Sequence, residues 1–211
     1  MKKTCIVIAI TILASGILFA SQSWIGLQGI GSYKQETTTY TFLSITAEEE
    51  HTAMLAGLNV AGTIYPGKAP IGVGFQVGFA KTINATRGGN DQDVADLPLT
   101  WNGGVTGKFC LAISEMLSLE IGAGLGFQSV TQIFDIGGSN DVEATLNTLN
   151  AIAVADVVLH LTETIAVVGK MGASLPLSTQ ATFTLGSTSY DHEFDVAGFA
   201  INGQIGIALS L

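Results

Sequence analysis

Charge is what this sequence has least of: 12% of its 211 residues are Asp, Glu, Lys or Arg. Eight basic residues stand against 17 acidic ones, a net −9. That balance excludes the basic patches nucleic-acid binding needs. Two cysteines are too few for a disulfide scaffold. After residue 20 no run of 18 apolar residues occurs, so no transmembrane helix is expected. Few charges with 47% apolar residues also exclude intrinsic disorder. Proline is scarce at 4, whereas glycine is abundant at 26.

The N-terminus has the layout of a secretory signal peptide. Lys2 and Lys3 precede an almost wholly apolar stretch, Cys5 to Ala20, with small residues at Ala20, Ser21 and Ser23. Cleavage after Ala20 fits, with Ser21 and Ser23 as alternatives. A chain starting at residue 21 carries a charge of −11 and retains only Cys110.

From there the pattern has period two. Ile71, Val73, Phe75, Val77 and Phe79 alternate with Gly72, Gly74, Gln76, Gly78 and Ala80. Leu97–Leu111, Leu117–Phe127 and Phe199–Leu211 repeat it; Trp24–Tyr33, Met54–Ile64, Leu149–Leu161 and Ile165–Leu175 do so less cleanly. Period two means strands. Eight strands of about ten residues are expected. In the sixth, Ile152 and Val154 share a face with Asn150 and Asp156, which suggests a bulge. Three connections read as tight turns (66–70, 113–115 and 161–163) and four as long polar loops (34–52, 82–96, 131–147 and 177–195). Leu111-Ala-Ile-Ser-Glu-Met-Leu echoes Leu159-His-Leu-Thr-Glu-Thr-Ile, each at a tight turn. The reading is one all-β domain over 21–211, an antiparallel up-and-down barrel.

One face of every strand is aliphatic or aromatic without charge; the other is glycine, amide and hydroxyl residues. A soluble carrier would turn the first face inward and charges outward. A membrane barrel turns it to lipid. Eight such faces in water would expose too much apolar area, so the membrane barrel is expected. Trp24, Tyr33, Tyr65 and Trp101 fall near strand ends, where interfacial aromatics belong. The pattern resembles the small eight-stranded outer-membrane barrels: the OmpA transmembrane domain, OmpX, and the opacity and OmpW-like proteins. The last strand resembles their assembly signal through Gln204, Gly206, Leu209 and Leu211, although aromatics usually fill the last two places. The resemblance implies an outer-membrane protein, partnered by outer-membrane lipid and the barrel assembly machinery.

Thirteen of the acids fall in the long loops, two at tight turns and two inside. The interior pair, Glu120 and Asp156, balances Lys108 and Lys170. Lys108 is expected to face Glu120, and Asp156 to face Lys170, as a plug or a gate. Glu48-Glu49-Glu50-His51 and Asp91/Asp93 match no closed metal motif, and no cofactor is expected. Three histidines (His51, His160 and His192) have no placed nucleophile, so no enzyme is expected. The first loop, with Tyr40, Phe42, Leu43, Glu48, Glu49 and Glu50, is the expected contact for a host or extracellular ligand. A monomer with a structural or surface-interaction role is the first functional reading. A narrow channel or an OmpW-like transporter of apolar solutes is the second, and a soluble lipocalin-like carrier the third.

Overall fold

A computed structural model describes residues 23–42, 45–66, 69–93, 97–135, 141–186 and 188–211. The expected signal peptide and Leu43 lie outside these residues, as do the side chains of Tyr40 and Phe42. Eight long strands make one antiparallel sheet: β1 (Trp24–Phe42), β2 (Ile45–Ile64), β3 (Ile71–Arg87), β5 (Leu99–Ala112), β6 (Leu117–Asp135), β7 (Asp141–His160), β8 (Ile165–Leu185) and β9 (Thr188–Ser210). A two-residue strand, β4 (Asn90–Asp91), pairs back on β3 after Gly88 and Gly89 turn the chain at φ 55° and 81°. Each long strand pairs with the long strands next to it in sequence, and β9 pairs β1, so the eight close into a barrel.

The two faces sort as the alternation predicts. Leu27, Leu58, Val77, Val105, Leu125, Val157, Met171 and Ile205, one from each long strand, all stand exposed on the exterior. The residues between them, including Gln28, Asn59, Glu120, Asp156 and Gln204, are buried in the lumen. An apolar exterior around a polar interior is built for lipid. No helix among the described residues is long and apolar enough to cross a membrane; the strands supply the crossing.

Strand length departs from expectation. The long strands run 14 to 23 residues rather than about ten. Most of what the sequence presents as long loops is ladder. β1 pairs β2 out to Phe42↔Ile45, β6 pairs β7 to Asp135↔Asp141, and β8 pairs β9 to Leu185↔Thr188. Two bulges hide this continuation. The β2–β3 register shifts at Met54/Leu55, where Ile83 is the extra residue. The β7–β8 register shifts at Leu149/Asn150, where Leu177 is extra. An extra residue flips the faces of everything after it, so simple alternation lapses there.

Beyond the bulges the solvent also changes. Above the apolar belt the exterior carries polar residues, with Gln180, Glu193 and Asp195 exposed and Thr182 half-buried, while Ala181 is buried and Val130, Leu146, Phe194 and Val196 face the lumen. Above the belt, β6 to β9 thus turn apolar side chains into the lumen and polar ones such as Glu193 and Asp195 outward.

The sixth long strand, β7, carries no bulge where one was expected. Its register against β6 is unbroken, with Glu120↔Asp156, Gly122↔Val154 and Gly124↔Ile152. Ile152 does point inward. It fits because Gly104 and Gly126 face it: a Cβ on either would come within 3.1 and 3.0 Å of its side chain.

Candidate functional site

The lumen is layered, starting at the tight-turn end. Both later tight turns have one construction, which explains the sequence echo. Ser114 Oγ accepts from the backbone N–H of Met116 and Leu117, and Thr162 Oγ1 from those of Thr164 and Ile165. Above them lies an apolar floor of Ala61, Val158, Ala166, Val168 and Ala208 around Trp24.

On this floor sits the charge layer. Lys108 Nζ donates to Thr63 Oγ1 (2.7 Å), to Glu120 Oε2 (2.9 Å) and to Asp156 Oδ2. Glu120 also accepts from Trp24 Nε1 and Thr63 Oγ1, both at 2.9 Å. The ammonium lies 5.1 Å from the Trp24 ring centroid, within cation–π range. Lys108, Glu120 and Asp156 are 3%, 1% and 0% exposed, so water does not screen these pairs.

All four interior charges lie in the lumen; the expected Lys108–Glu120 pair forms, whereas Asp156 and Lys170 take partners other than each other. Lys108 pairs in register with Gly122 and meets Glu120 diagonally. Asp156 and Lys170 are direct cross-strand neighbours, yet Asp156 takes Lys108. Lys170 Nζ instead donates across the lumen to Gln76 Oε1 at 3.1 Å. An amide layer follows, in which Asn59 Nδ2 donates to Gln204 Oε1 (3.2 Å).

Two of the expected interfacial aromatics belong to this plug. Trp24 and Tyr65 are 0% and 1% exposed, whereas Tyr33 and Trp101 stand outside at 38% and 57%. Phase explains the split. Trp24 falls in step with Gly26 and Gln28, and Tyr65 with Asn59, Ala61 and Thr63, all lumen residues. The Trp24 indole N–H is rewarded inside by its bond to Glu120, and the Tyr65 backbone N–H donates to Ser23 Oγ at 3.0 Å.

The four terminal-strand residues divide between lumen, seam and lipid. Gln204 lies in the amide layer and Gly206 lies against β1, while Leu209 and Leu211 are exposed on the lipid side and at the strand end. The polar and glycine places serve the lumen and the closing seam; the apolar places serve lipid.

Above the plug a small void of about 70 Å³ leads toward a cavity of about 530 Å³ in the outer half. This cup is two-sided. β6 to β9 line it with Val130, Ala144, Leu146, Ala181, Phe183, Phe194 and Val196 interspersed with Gln132, Thr145, Thr148 and Thr179; β1 to β3 supply Glu36, Thr38, His51 and Arg87. The charges there are matched. Arg87 donates to both oxygens of Glu49, from Nε at 2.8 Å and Nη2 at 2.7 Å, and Lys34 lies 2.7 Å from Glu36. Arg87 holds the Glu49 carboxyl below the usual carboxylate range. Burial holds His51 below the ordinary imidazole range and so neutral at neutral pH. These groups lie beyond Met54, outside the apolar belt. Within the Glu48–Glu50 run only Glu49 turns in; Glu48 and Glu50 are exposed.

The cup borders a break in the wall. β8 and β9 pair up to Ser174↔Ala200 and resume at Thr179↔Phe194, leaving Leu175–Ser178 and Asp195–Phe199 unladdered with each other. Pro176 has no N–H to donate. On the other side Gly198 lies hard against β1, where a Cβ would stand 2.2 Å from the Gln35 carbonyl. A cavity of about 190 Å³ fills the break, lined by Leu177, Ser178, Thr179, Glu193, Phe194, Asp195 and Val196. Thr179, Phe194 and Val196 line both cavities. The exposed apolar residues end beside it at Leu177 and Phe199, so the gap sits at the outer rim of the lipid belt.

The sequence reading misses these cup and gap residues because it counts 131–147 and 177–195 as loop. The signal was present: Ala181 and Phe183 alternate with Gln180 and Thr182, and Phe194 and Val196 with Glu193 and Asp195. His192 stacks edge-on against Phe194 with centroids 4.7 Å apart, and Asp191 accepts from Thr182 Oγ1 at 2.7 Å. His160 hydrogen-bonds Ser210 at the opposite end of the barrel.

A closed eight-stranded antiparallel barrel, apolar toward lipid and plugged inside, defines the class: this is the fold of the small outer-membrane β-barrels, and its apolar belt fits a lipid membrane. Solved structures agree. The chain is similar to the outer membrane protein OprG from Pseudomonas aeruginosa, with 12% identity, TM-score 0.58, and 90% of this chain and 96% of that one covered. It is similar to a major outer membrane protein from Thermus thermophilus, with 11% identity, TM-score 0.53, and 90% and 99% covered. Neisserial surface protein A follows with 9% identity, TM-score 0.50, and 90% and 97% covered. No family model and no curated protein matches the sequence.

Proposed function

We propose that this barrel passes small apolar or amphipathic solutes sideways between its outer cup and the membrane, through the β8–β9 gap. The observation that carries this reading is the apolar stretch of the cup wall, Val130, Leu146, Phe183, Phe194 and Val196, directly beside a break in the β8–β9 ladder. The charge layer and apolar floor below oppose a route along the axis. A solute leaving through the gap meets lipid at once. Of the roles the sequence suggests, this is the lateral transporter rather than the surface-interaction one.

Two measurements together test it. The protein purified from outer membranes is expected to stay electrically silent in planar bilayers. In cells whose polar outer leaflet excludes apolar dyes, its expression is expected to speed entry of phenylnaphthylamine several-fold. Steady ion conductance with unchanged dye entry would replace the lateral route with an axial one.

A further inference from the structure

The polar wall of the cup has a chemical preference of its own. Glu36, His51 and Arg87 are successive cross-strand partners on β1, β2 and β3, and all three line the cavity. The fixed charges of this wall cancel. Lys34 pairs with Glu36, and Arg87 holds both oxygens of Glu49.

His51 stands between these pairs without a hydrogen bond of its own. Glu49 Oε2, at 3.7 Å, is beyond reach and already taken by Arg87, and no other described residue bonds either ring nitrogen. Burial favours the neutral imidazole, which offers one N–H donor and one bare nitrogen acceptor. The Thr38 hydroxyl on the same wall makes no hydrogen bond among the described residues either.

The ring of strands sets this wall against the apolar one. Among the long strands β2 and β7 lie opposite each other, with three between them on either side, so His51 faces Leu146 across the cavity they both line. A barrel of this size has room for one small ligand between such walls. A charged head finds both acids and both bases already paired, so it must disrupt an ion pair or lose water without compensation. A hydroxyl can donate to the bare imidazole nitrogen or accept from the N–H, and Thr38 adds a second partner.

We infer that the cup binds a neutral amphipath with a hydroxyl head, an alcohol or a phenol: the apolar body lies on Val130, Leu146, Phe183 and Val196, and the hydroxyl bonds to His51. This rests on the cup being a solute site, as proposed above. It adds a ranking by charge, in which neutral hydroxyl compounds are preferred over both amines and acids.

The test uses the full protein, purified from outer membranes and placed in nanodiscs of neutral lipid. Binding of naphthylethanol, naphthylethylamine, naphthylacetate and ethylnaphthalene is followed by their fluorescence, with empty discs subtracted. The alcohol is expected to bind about tenfold tighter than either the amine or the acid. His51→Phe keeps a ring and removes both nitrogens. It should weaken the alcohol about fivefold and leave ethylnaphthalene within about twofold. Unbalancing the wall should redirect the preference by sign. Glu49→Gln removes a negative charge and should strengthen acid binding about fivefold, whereas Arg87→Met removes a positive charge and should strengthen amine binding by about as much. Retention of the folded barrel is checked by heat-shifted gel mobility. An amine or acid that binds as tightly as the alcohol, an alcohol that binds His51→Phe unchanged, or a ranking that both charge variants leave unmoved overturns the hydroxyl site, and ethylnaphthalene binding then leaves the cup standing. Binding of none of the four probes removes the cup reading as well.

Discussion

Replacing Lys108 with methionine is expected to lower the barrel's stability by about 3–5 kcal/mol. The lysine touches both Glu120 and Asp156, and those carboxylates are 1% and 0% exposed. Without the ammonium two buried negative charges face one another with no cation in contact. Methionine keeps most of the volume and loses the charge, so the effect reads electrostatics rather than a cavity. Neutralising the whole layer separates the causes. Lys108→Met combined with Glu120→Gln and Asp156→Asn should recover most of the loss, because a buried ion pair is worth little beyond an apolar or neutral equivalent. Trp24 donates to Oε1 and Thr63 to Oε2 of Glu120, so the Gln carbonyl oxygen can keep the Trp24 bond while its amide NH2 donates to the Thr63 hydroxyl oxygen that Lys108 leaves free. Urea unfolding in lipid vesicles, followed by tryptophan fluorescence, measures both variants. A single variant within about 1 kcal/mol of the parent would mean that water reaches the layer.

The second large effect is steric. Gly206 faces the seam where the last strand meets the first. A Cβ there would stand 2.0 Å from the Leu27 carbonyl oxygen and 2.6 Å from the Gln28 Cα, both backbone atoms that cannot rotate away. Gly206→Ala is expected to cost about 3 kcal/mol, the upper end of overpacking, and to slow barrel closure. Gly203→Ala, three residues earlier on the same strand, has nothing within 4 Å of its Cβ and should be nearly silent. Unfolding and the rate at which the heat-shifted form appears compare the two. Equal behaviour would show that the seam does not set the glycine requirement. The assembly-signal glycine would then answer to the assembly machinery rather than to packing.

The membrane half of this protein was legible in its sequence because lipid and lumen demand opposite residues at every step. Val73, Phe75 and Val77 against Gly72, Gly74 and Gln76 leave one solution for a strand in that setting. The interior charges were legible for the same reason: Lys108, Glu120, Asp156 and Lys170 all fall on the glycine face. The Lys108–Glu120 pair across one hairpin was legible too; the longer-range pairing was not, since Lys108 also reaches Asp156 across 48 residues of sequence and Lys170 reaches Gln76 across 94. Alternation fixes a face; it does not choose among partners on it.

The outer half was misread for two physical reasons. Ile83 and Leu177 each insert one residue and reverse the phase. Above them water replaces lipid outside, so the same alternation carries the opposite meaning. Glu193 and Asp195 read as loop acids when they are the outer face of a strand whose inner face is Phe194 and Val196. The carrier-like orientation, weighed for the whole chain, holds for this part alone. Trp24 and Tyr65 were misplaced by residue type where phase would have placed them correctly.

Closing the gap tests the lateral route most directly. In the register that ends at Thr179↔Phe194, the next pair is Ser178 with Asp195. Cysteines at both positions, Ser178→Cys with Asp195→Cys, can bond in the oxidising envelope and draw β8 onto β9. The bonded form is expected to slow dye entry at least about fivefold, with reductant restoring it, while the plug and the fold stay intact. Dye entry that proceeds at the parent rate with the bond demonstrably formed would contradict the lateral route.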